Sequence, residues 1–395
     1  MIATLASLAG SSLALLLLPG SLLLATLSLA ALLPRPQPSS DEPGENGPLI
    51  FVVPAHNEAA SITTTVKSLN AACRADGACA VWVVADNCSD QTAALARQAG
   101  AQVLERDDKA RRGKGFALEY AFQALAGNPA EWLIVVDADS TLEPGFLPTL
   151  RDAMTADRNA VQACYLSRAG ERLRSRVSRI GQWGFNLVRP MGRERLGVSC
   201  GLFGNGFALR RSLLQRLPYT AHSVVEDLEY HLLLVAAGER VHFVREAVVM
   251  GEIADTVDGA RTQRARWEGG RLRMLKAHLL PLLARCLRGD RNAIELLADL
   301  LLLPLGLHVV LLLIAAALGG VGLWAAALGA LAVGSYLTVI LLRGPTTWRD
   351  IGALALSPIY VAWKLSLLPA TLIQSRRQAA WVRSRRNNET ESSHD

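Results

Sequence analysis

Two long segments without a charged residue constrain the fold of this chain more than any other feature. They cover residues 1–34 and 300–342, with His308 counted as neutral. In the first segment, residues 13–33 are long enough for one transmembrane helix at about 20 residues per crossing. The segment lacks the basic start of a cleaved signal peptide, and its apolar run is longer than a signal core. We therefore predict a retained N-terminal anchor over residues 1–34, followed by a Pro/Ser-rich linker over 35–47.

The second uncharged segment is about twice as long as one crossing. Gly319 and Gly320 lie near its middle and favour a turn there. A single buried core helix of this length would be exceptional. We therefore predict a transmembrane helical hairpin over residues 300–342, with arms at 300–318 and 321–342.

Basic residues indicate the orientation of the chain. They are concentrated in residues 261–291 and in the tail over 376–395, which we expect to be partly disordered. The positive-inside rule places both, and the linker that opens on Arg35, in the cytoplasm. Residues 343–375 carry Lys364 and are broken by prolines, so we predict interfacial or re-entrant helices there instead of a further crossing. Residues 274–299 are expected to form an amphipathic region at the same interface.

Residues 48–273 have the mixed composition of a soluble domain, which this topology places on the cytoplasmic side of the cell (inner) membrane. Apolar runs typical of strands alternate with helical stretches, and this alternation predicts a mostly parallel α/β sheet. Ligands of such sheets bind at the carboxyl ends of the strands. Three predicted strands end in polar residues, namely His56 with Glu58, Asp86, and Asp137 with Asp139.

The third of these strand ends carries the clearest chemical signal. Side chains alternate along an extended chain, so Asp137 and Asp139 point the same way. Two carboxylates suit Mg²⁺ or Mn²⁺, which usually keep positions open for substrate phosphates. Asp-x-Asp alone is also common in solvated turns. A ligand site is favoured here because two other strands of the same sheet also end in polar residues, His56 with Glu58 and Asp86.

Composition argues against two classes of partner and site. The net charge of +6 comes with no aromatic-rich basic patch and no zinc-finger spacing, so we attribute it to contact with membrane lipid and not with nucleic acid. The six cysteines include no Cys-x-x-Cys pair, which predicts reduced, mostly packing thiols.

Seven motifs, in their order and spacing, resemble those of membrane-bound glycosyltransferase family 2. They are Val53-Pro54-Ala55-His56-Asn57-Glu58, Asp86, Arg112-Gly113-Lys114-Gly115, Asp137-Ala138-Asp139, Gly204-Asn205-Gly206, Glu226-Asp227 and Gln263-x-x-Arg266-Trp267. The last motif resembles the signature of cellulose, chitin, hyaluronan and poly-N-acetylglucosamine synthases and of some lipid glycosyltransferases. The resemblance implies an α/β GT-A fold, a Rossmann-like mixed sheet, for residues 48–273, with N-terminal and C-terminal transmembrane helices.

The resemblance also implies roles for individual residues. The nucleotide-sugar donor, which we expect to be UDP-linked, would be bound by Pro54, Ala55, His56, Glu58, Asp86, Lys114, Asp137 and Arg266. The divalent ion would be held by Asp137 and Asp139. The acceptor would be bound by Gly204, Asn205, Gly206, Gln263 and Trp267, with Asn205 standing where the family usually has Thr. The catalytic pair would be Asp227, as the base, and Glu226.

Elementary chemistry is consistent with these roles. Sugar transfer from a nucleoside diphosphate releases a leaving group with two negative charges, which a divalent ion, Lys114 and Arg266 can neutralise. The acceptor hydroxyl must lose a proton, and the Asp227 carboxylate can take it. A base without a separate enzyme nucleophile indicates single displacement with inversion at the anomeric carbon. Simpler interpretations stay open at this point. Lys114 could be a solvated turn lysine, and Arg266 and Trp267 could lie at the membrane surface. Glu226 and Asp227 could merely begin a helix, where acids are favoured.

Two other functions would use some of the same features. A nucleotidyltransferase needs a basic Gly-rich loop and an acidic pair, but it would not predict Gln263-x-x-Arg266-Trp267 before a membrane hairpin. An inactive sugar-binding or scaffold protein would be expected to have lost the acidic residues of the site. Here all of them are present, namely Asp86, Asp137, Asp139 and Asp227. Within glycosyl transfer we favour a growing polysaccharide or oligosaccharide as the acceptor over a membrane lipid. Three crossings give little material for a wide channel, so an accessory membrane subunit or self-association is a further expectation.

Overall fold

A computed structural model of the protein describes residues 1–34, 47–168, 173–252, 257–355, 357–367, 369 and 373. These residues form two compact units. The sheet unit comprises the described residues within 37–170 and 199–270, and the helical unit comprises those within 1–36, 171–198 and 271–373.

The described residues contain eight strands and fifteen α-helices. The strands are β1 Leu49–Ala55, β2 Cys79–Asp86, β3 Gln102–Arg106, β4 Trp132–Val135, β5 Thr141–Leu142, β6 Ala160–Ser167, β7 Phe207–Arg210 and β8 Val241–Gly251. The helices are α1 Ile2–Leu32, α2 Ile62–Asp76, α3 Thr92–Gln98, α4 Lys114–Ala124, α5 Phe146–Ala153, α6 Leu173–Trp183, α7 Arg189–Arg195, α8 Arg211–Arg216, α9 Glu226–Ala236, α10 Val257–Cys286, α11 Arg291–Leu301, α12 Leu305–Leu318, α13 Val321–Arg343, α14 Trp348–Leu354 and α15 Ser357–Leu365.

The strands of the sheet unit form one mixed sheet in the order β3-β2-β1-β4-β7-β6-β8-β5. The first four strands in this order are parallel, and β7 then runs antiparallel to both β4 and β6. In the central strands β1 and β4 all apolar residues except Pro54 are buried on both faces, as expected for strands covered by helices. The carboxyl ends of β1, β2 and β4 therefore meet at one edge of the sheet, as the sequence predicts.

Local pattern located the first four strands well, and the predicted α/β mixed sheet is confirmed. The run of apolar residues before Asp137 is β4, and all four of its residues are buried. The helical stretches that alternate with these strands include α3, which follows β2, and α4, which precedes β4. β7, β6 and β8 enter the sheet out of chain order, which hydrophobic pattern alone does not specify.

One expectation about the cysteines is wrong. Cys73, near the end of α2, and Cys79, the first residue of β2, form a disulfide. The helix ends at Gly77 with φ 81°, a left-handed conformation that glycine adopts without steric cost. The resulting turn brings the two Cα atoms to 4.9 Å. The other four cysteines are free thiols.

Within the described part of the helical unit, two single helices are long and apolar enough to cross a membrane. They are residues Ala3–Leu32 of α1 and the whole of α13, Val321–Arg343. They correspond to the predicted anchor and to the predicted second arm of the hairpin.

The predicted first arm, residues 300–318, differs from the structure. α11 ends at Leu301, and α12 begins at Leu305 with its axis bent by 78° from that of α11. Pro304 explains the break, because proline has no N–H and disfavours helical backbone before it. The 14 residues of α12 span about 21 Å, less than the ~30 Å hydrocarbon core. This pair of helices is a broken span or a re-entrant loop.

The predicted domain over 48–273 is also interrupted. Residues 171–198, which lie in the chain between β6 and β7, belong to the helical unit. They contain α6, a π-helical turn at Gly184–Val188, and α7. α7 packs closely on α1, since a Cβ added at Gly192 would lie only 2.2 Å from the Leu27 carbonyl oxygen. Close packing of this kind requires glycine at residue 192.

Candidate functional site

The loops that follow β1 and β2 are joined by hydrogen bonds. The Asn57 side chain donates to Ser89 Oγ at 3.1 Å and accepts from the Ser89 N–H at 2.8 Å. The Glu58 N–H donates to Thr92 Oγ1 at 2.7 Å. Asn57 and Asn87 have φ values of 54° and 51°, a conformation that asparagine tolerates better than other non-glycine residues. The two loops at the carboxyl ends of β1 and β2 are therefore held in place by the protein itself.

The predicted nucleotide-binding residues of the first loop have different surroundings. Pro54 and Ala55 are the last residues of β1, and Ala55 is buried. Glu58 is also buried, and its carboxylate accepts a hydrogen bond from Ser61 Oγ at 3.1 Å. His56 Nδ1 lies 2.7 Å from the backbone carbonyl oxygen of Asp86. His56 thus links the two loops at the strand ends.

Asp86 is buried and organises the Gly-rich turn. Its Oδ1 accepts hydrogen bonds from Arg106 Nη1 at 2.6 Å and from Asn87 Nδ2 at 2.9 Å. Burial raises the pKa of Asp86, while Arg106 and the backbone N–H of Gly113 act against that increase. The carboxylate therefore connects β2 to the turn before α4. Sequence reasoning missed Arg106, because a single arginine at the end of a strand belongs to no motif.

Lys114 lies at the centre of the site. Gly113 precedes it with φ 131°, which favours glycine and lets α4 start directly at the lysine. The ammonium forms an ion pair with Asp137, donates to the Gly204 carbonyl oxygen at 2.5 Å, and lies 3.9 Å from Glu226 Oε1. Burial disfavours the charged ammonium, but Asp137 and Glu226 outweigh it and raise the pKa of Lys114. The lysine therefore stays positively charged among residues of three predicted motifs.

The first turn of α4 packs on the loop before α9. A Cβ added at Gly115 would lie 2.0 Å from the Ala221 carbonyl oxygen, so no other residue fits there. The Phe116 and His222 rings are stacked at 4.1 Å, and His222 Nε2 lies 3.0 Å from a Glu119 carboxylate oxygen. These contacts position the loop that leads into the acidic pair of α9.

A chain of hydrogen bonds lies behind the Asp-x-Asp motif. Asn205 Oδ1 accepts from the Asp137 N–H at 3.1 Å, and Asn205 Nδ2 donates to Ser140 Oγ at 2.9 Å. Ser140 Oγ in turn donates to Asp139 Oδ1 at 3.2 Å. Asn205 is fully buried, so its side chain lies away from the acceptor surface on which we expected it. The amide serves to orient the two carboxylates.

Tyr165 of β6 is a second residue that sequence reasoning missed. Burial raises the pKa of its hydroxyl, the charges of Asp139 and Asp137 raise it further, and hydrogen bonds to Ser167 and Asn205 oppose the increase. The tyrosine is therefore neutral and belongs to the same polar network. Only the position of β6 in the sheet brings it here, and no local sequence signal predicts that position.

The acidic pair forms the N-terminus of α9. Asp227 Oδ1 accepts from the Leu228 N–H at 2.8 Å, and a Cβ at Gly204 would lie 3.1 Å from Asp227 Oδ2. Burial raises the pKa of Asp227 to about 7, and the charge of Glu226 adds to that effect. Burial also raises the pKa of Glu226, with the nearby Lys114 ammonium acting in the opposite direction. A carboxylate that titrates near neutral pH is well matched to general base catalysis.

Arg266 adds a second cation to the site. Burial lowers the pKa of its guanidinium, and the charges of Glu226, Asp137 and Asp227 oppose this decrease. The same three carboxylates surround Lys114. The two predicted phosphate-binding cations therefore share one set of acidic neighbours.

The remaining predicted acceptor residues lie near the start of α10 and in the turn before β7. Gln263 is half-buried, and Trp267 is 45% exposed. α10 packs on the loop before the acidic pair, where a Cβ at Gly270 would lie 2.6 Å from Val225 Cγ1. Gly206 has φ 71° and packs closely on β8, since a Cβ added there would lie 2.8 Å from Val249 Cγ2. Trp267 thus presents an indole face to solvent at this end of the sheet unit.

The residues at the strand end fit a divalent ion that is completed by its substrate. Within the described part of the chain, no group of three or more His, Cys, Asp or Glu side chains could hold a metal. Asp137 and Asp139 supply two carboxylates, and the Lys114 ammonium already contacts one of the Asp137 oxygens. Mg²⁺ is usually held by one or two carboxylates and by substrate phosphates. Asp139, with Asp137, would hold such an ion.

Comparison with known proteins identifies the family. The family described as "Glycosyltransferase like family 2" matches residues 46–270. The chain belongs to this family. A relative, "Probable glycosyltransferase YdaM" of Bacillus subtilis (strain 168), is 26% identical over 229 residues, or 55% of this chain and 54% of the relative. The chain thus spans about half the length of the curated relative that it matches.

Solved structures with a similar fold include two glycosyl-transferring enzymes. The mannosyltransferase PcManGT from Pyrobaculum calidifontis, in complex with GDP-Man and Mn²⁺, has a TM-score of 0.55 at 17% identity and covers 95% of this chain and 98% of its own. Glucosyl-3-phosphoglycerate synthase from Mycobacterium tuberculosis, with Mn²⁺, UDP and phosphoglyceric acid, has a TM-score of 0.40 at 22% identity, covering 60% and 85%. The family match and the first structure confirm the predicted GT-A fold. The Gln-x-x-Arg-Trp subgroup stays a prediction.

Proposed function

We propose that this chain is an inverting, metal-dependent glycosyltransferase. It transfers a sugar from a nucleotide sugar, most simply a UDP sugar, to a growing polysaccharide or oligosaccharide at the cytoplasmic membrane. The observation that carries the proposal is the convergence of the Asp-x-Asp motif, Lys114, Arg266 and the acidic pair at one end of the sheet. A metal site and two cations for the leaving diphosphate thus lie next to a carboxylate that can act as a base.

In this mechanism Asp227 takes the proton from the acceptor hydroxyl as its oxygen attacks the anomeric carbon. Its pKa of about 7 lets it accept that proton near neutral pH. Lys114 and Arg266 bind the departing nucleoside diphosphate, and the fork of Arg266 suits phosphate oxygens. Inversion follows because the acceptor oxygen attacks directly, with no enzyme–sugar intermediate.

A divalent ion on Asp139 and Asp137 would supply further positive charge for the leaving diphosphate. Asn205 and Ser140 keep these carboxylates oriented, and Asp86 with Arg106 holds the Gly-rich turn from which Lys114 projects. Glu226 keeps the Lys114 ammonium within 3.9 Å and so supports its position.

The acceptor could instead be a membrane lipid. In the described residues two helices can cross a membrane, or three if the bent pair of α11 and α12 counts as one span. This leaves little helical material for a wide polysaccharide channel unless a partner or a second copy contributes. The Gln263-x-x-Arg266-Trp267 segment and the exposed Trp267 ring favour a sugar acceptor, since an indole packs well on a sugar face.

The decisive experiment offers the full chain, purified in neutral detergent, a panel of nucleotide sugars with Mn²⁺. Mass spectrometry of the products separates an extended saccharide from a glycosylated lipid. We expect release of nucleoside diphosphate without pyrophosphate, and a product of inverted anomeric configuration by NMR. The exposed-surface variant Asp152→Asn is the matched control for Asp227→Asn. Release of pyrophosphate, or a retained configuration, would contradict the proposal.

We also propose that the protein is integral to the cell (inner) membrane, with the sheet unit in the cytoplasm. The positive-inside distribution of basic residues supports this orientation. A cysteine introduced at Asn46 should resist a membrane-impermeant maleimide in intact cells, whereas one introduced at Val321, next to Gly320 and 67% exposed, should react. Reaction at Asn46 alone would reverse the orientation.

A further inference from the structure

Three arginines of the helical unit converge on one buried acid. Asp299 of α11 accepts hydrogen bonds from Arg193 Nη2 at 2.8 Å and from Arg189 Nη2 at 3.2 Å, both from α7. Arg271 of α10 donates to the Asp299 backbone carbonyl and lies 3.7 Å from its carboxylate. Three helices thus meet at a cluster that we define as Arg189, Arg193, Arg271 and Asp299.

The charge of this cluster is not balanced. Among the residues that the structure describes, the ion pairs of all three arginines end on the single Asp299 carboxylate. The Arg193 side chain is only 6% exposed and that of Arg189 only 11%. Burying like charges together is costly unless an opposite charge compensates them. Burial, together with the neighbouring arginines, lowers the pKa of Arg189 to about 10.

A second cluster of the same unit provides a comparison. Asp350 pairs with Arg179 at 2.5 Å and Arg176 at 3.4 Å, so here two arginines share one acid. The Asp350 carboxylate also caps its own helix through Thr347. That cluster has the composition of a structural ion pair, whereas the cluster at Asp299 has one more guanidinium for the same single acid.

The cluster at Asp299 lies near one end of a candidate membrane span. Gly192, between Arg189 and Arg193 in α7, packs against Leu27, five residues before the end of α1. At the same end, Arg195 donates to the Leu33 carbonyl oxygen at 2.9 Å, and Arg343 donates to that of Leu32 at 3.1 Å. Basic pockets beside membrane helices on the cytoplasmic side are typical sites for lipid head groups.

We propose that Arg189, Arg193 and Arg271 form a binding site for a phosphate group, with Asp299 holding the guanidinium groups in place. Arginine forks bind phosphate oxygens in pairs, and a phosphate would compensate the excess positive charge of the cluster. The phosphate group belongs either to an anionic membrane lipid or to a molecule in solution. The cluster belongs to the helical unit, and the proposal does not depend on glycosyl transfer.

The test measures thermal unfolding of the full chain in neutral detergent, with inorganic phosphate titrated against sodium chloride at equal ionic strength. We expect phosphate to raise the unfolding midpoint, since a ligand that binds only the folded state stabilises it. In Arg193→Gln the phosphate concentration for half of the effect should rise at least about tenfold. Arg179→Gln, which removes a guanidinium from the cluster at Asp350, should keep the wild-type response.

Asp299→Asn separates a binding site from a purely structural ion cluster. This variant removes the negative charge but keeps an amide oxygen to which Arg189 and Arg193 can still donate. It should therefore be less stable than wild type without phosphate and should gain more stability than wild type when phosphate binds. A structural cluster alone predicts a stability loss that phosphate does not restore. The proposal fails if Arg193→Gln and Arg179→Gln respond equally, or if wild type is stabilised neither by inorganic phosphate beyond chloride nor by the anionic lipid tested below.

The source of the phosphate group is resolved with nanodiscs. Stabilisation by phosphatidylglycerol over phosphatidylcholine, lost in Arg193→Gln, identifies a lipid ligand. A response to inorganic phosphate with no lipid effect identifies a soluble one. Either result supports the phosphate site, and the absence of both overturns it.

Discussion

Replacing Asp227 by Asn should separate catalysis from folding. The change removes the negative charge but keeps the shape and an oxygen that can accept the hydrogen bond from the Leu228 N–H. If Asp227 takes the acceptor proton, turnover should fall by roughly 10²–10⁴. The wild-type rate should rise with pH and level off above the pKa of about 7, because only the deprotonated carboxylate is a base. The residual rate of the variant should lack this dependence.

The same change should stabilise the protein at alkaline pH. The pKa of Asp227 is about 7 when folded, against an ordinary value of 3.8, so the folded chain binds this proton more tightly than the unfolded chain. The stabilisation of the folded state by this bound proton is complete below about pH 4, and it is lost as the pH rises through 7. At ~1.4 kcal/mol per pKa unit the limit is about 4 kcal/mol. We expect about 1–2 kcal/mol for Asp227→Asn at pH 8, because solvent reaches this half-buried carboxylate.

The assay combines steady-state rates between pH 5.5 and 8.5 with urea unfolding and calorimetric titration of nucleoside diphosphate with Mn²⁺. Donor affinity should barely change, since the carboxylate acts on the acceptor side. A near-normal rate would refute the assignment and make Glu226 the next candidate. Lost donor binding would place Asp227 in the nucleotide site instead.

Three further substitutions test other parts of the site. Asp139→Asn should abolish turnover and make nucleoside diphosphate affinity insensitive to Mn²⁺, and full activity in excess chelator would contradict this. Asn205→Ala should raise the Mn²⁺ concentration for half-maximal nucleotide binding by about 10–100-fold; Ser199→Ala, which also removes buried hydrogen bonds, should not. Arg106→Leu leaves Asp86 buried without its partner and should cost about 3–5 kcal/mol in urea unfolding, together with weaker donor binding. Unchanged stability would show that the Asp86 charge is compensated elsewhere.

Residues whose structure depends on local pattern were predictable. The runs ending at Asp86 and Asp137 are strands because apolar, β-branched residues there have no helical periodicity. Parallel α/β topology then requires both acids to meet at one sheet edge. The family resemblance placed Lys114 near the nucleotide, and the structure shows that its ammonium contacts Asp137.

Other features depend on tertiary packing, which local pattern does not determine. Residues 171–198 lie within the predicted soluble domain, and no local pattern indicated that they belong to the helical unit. The motif containing Asn205 predicts a polar side chain near the site, yet burial and the Asp137 N–H turn that side chain inward. Arg106 and Tyr165 reach the site only through strand order. Their roles could not be inferred before the sheet was known.

The Cys73–Cys79 disulfide makes the sheet unit a reporter of its own cellular compartment. The bond closes a loop of only about six residues, so in the chain-entropy account its loss costs about 2 kcal/mol, which a domain with so extensive a core can tolerate. The domain can therefore fold with these cysteines either oxidised or reduced. Cytoplasmic thiol buffers would keep the pair reduced, whereas an exported domain would retain the bond. Trapping the thiols with an alkylating reagent before cell lysis, and weighing the peptide that contains both cysteines, would record on which side of the membrane this domain matured.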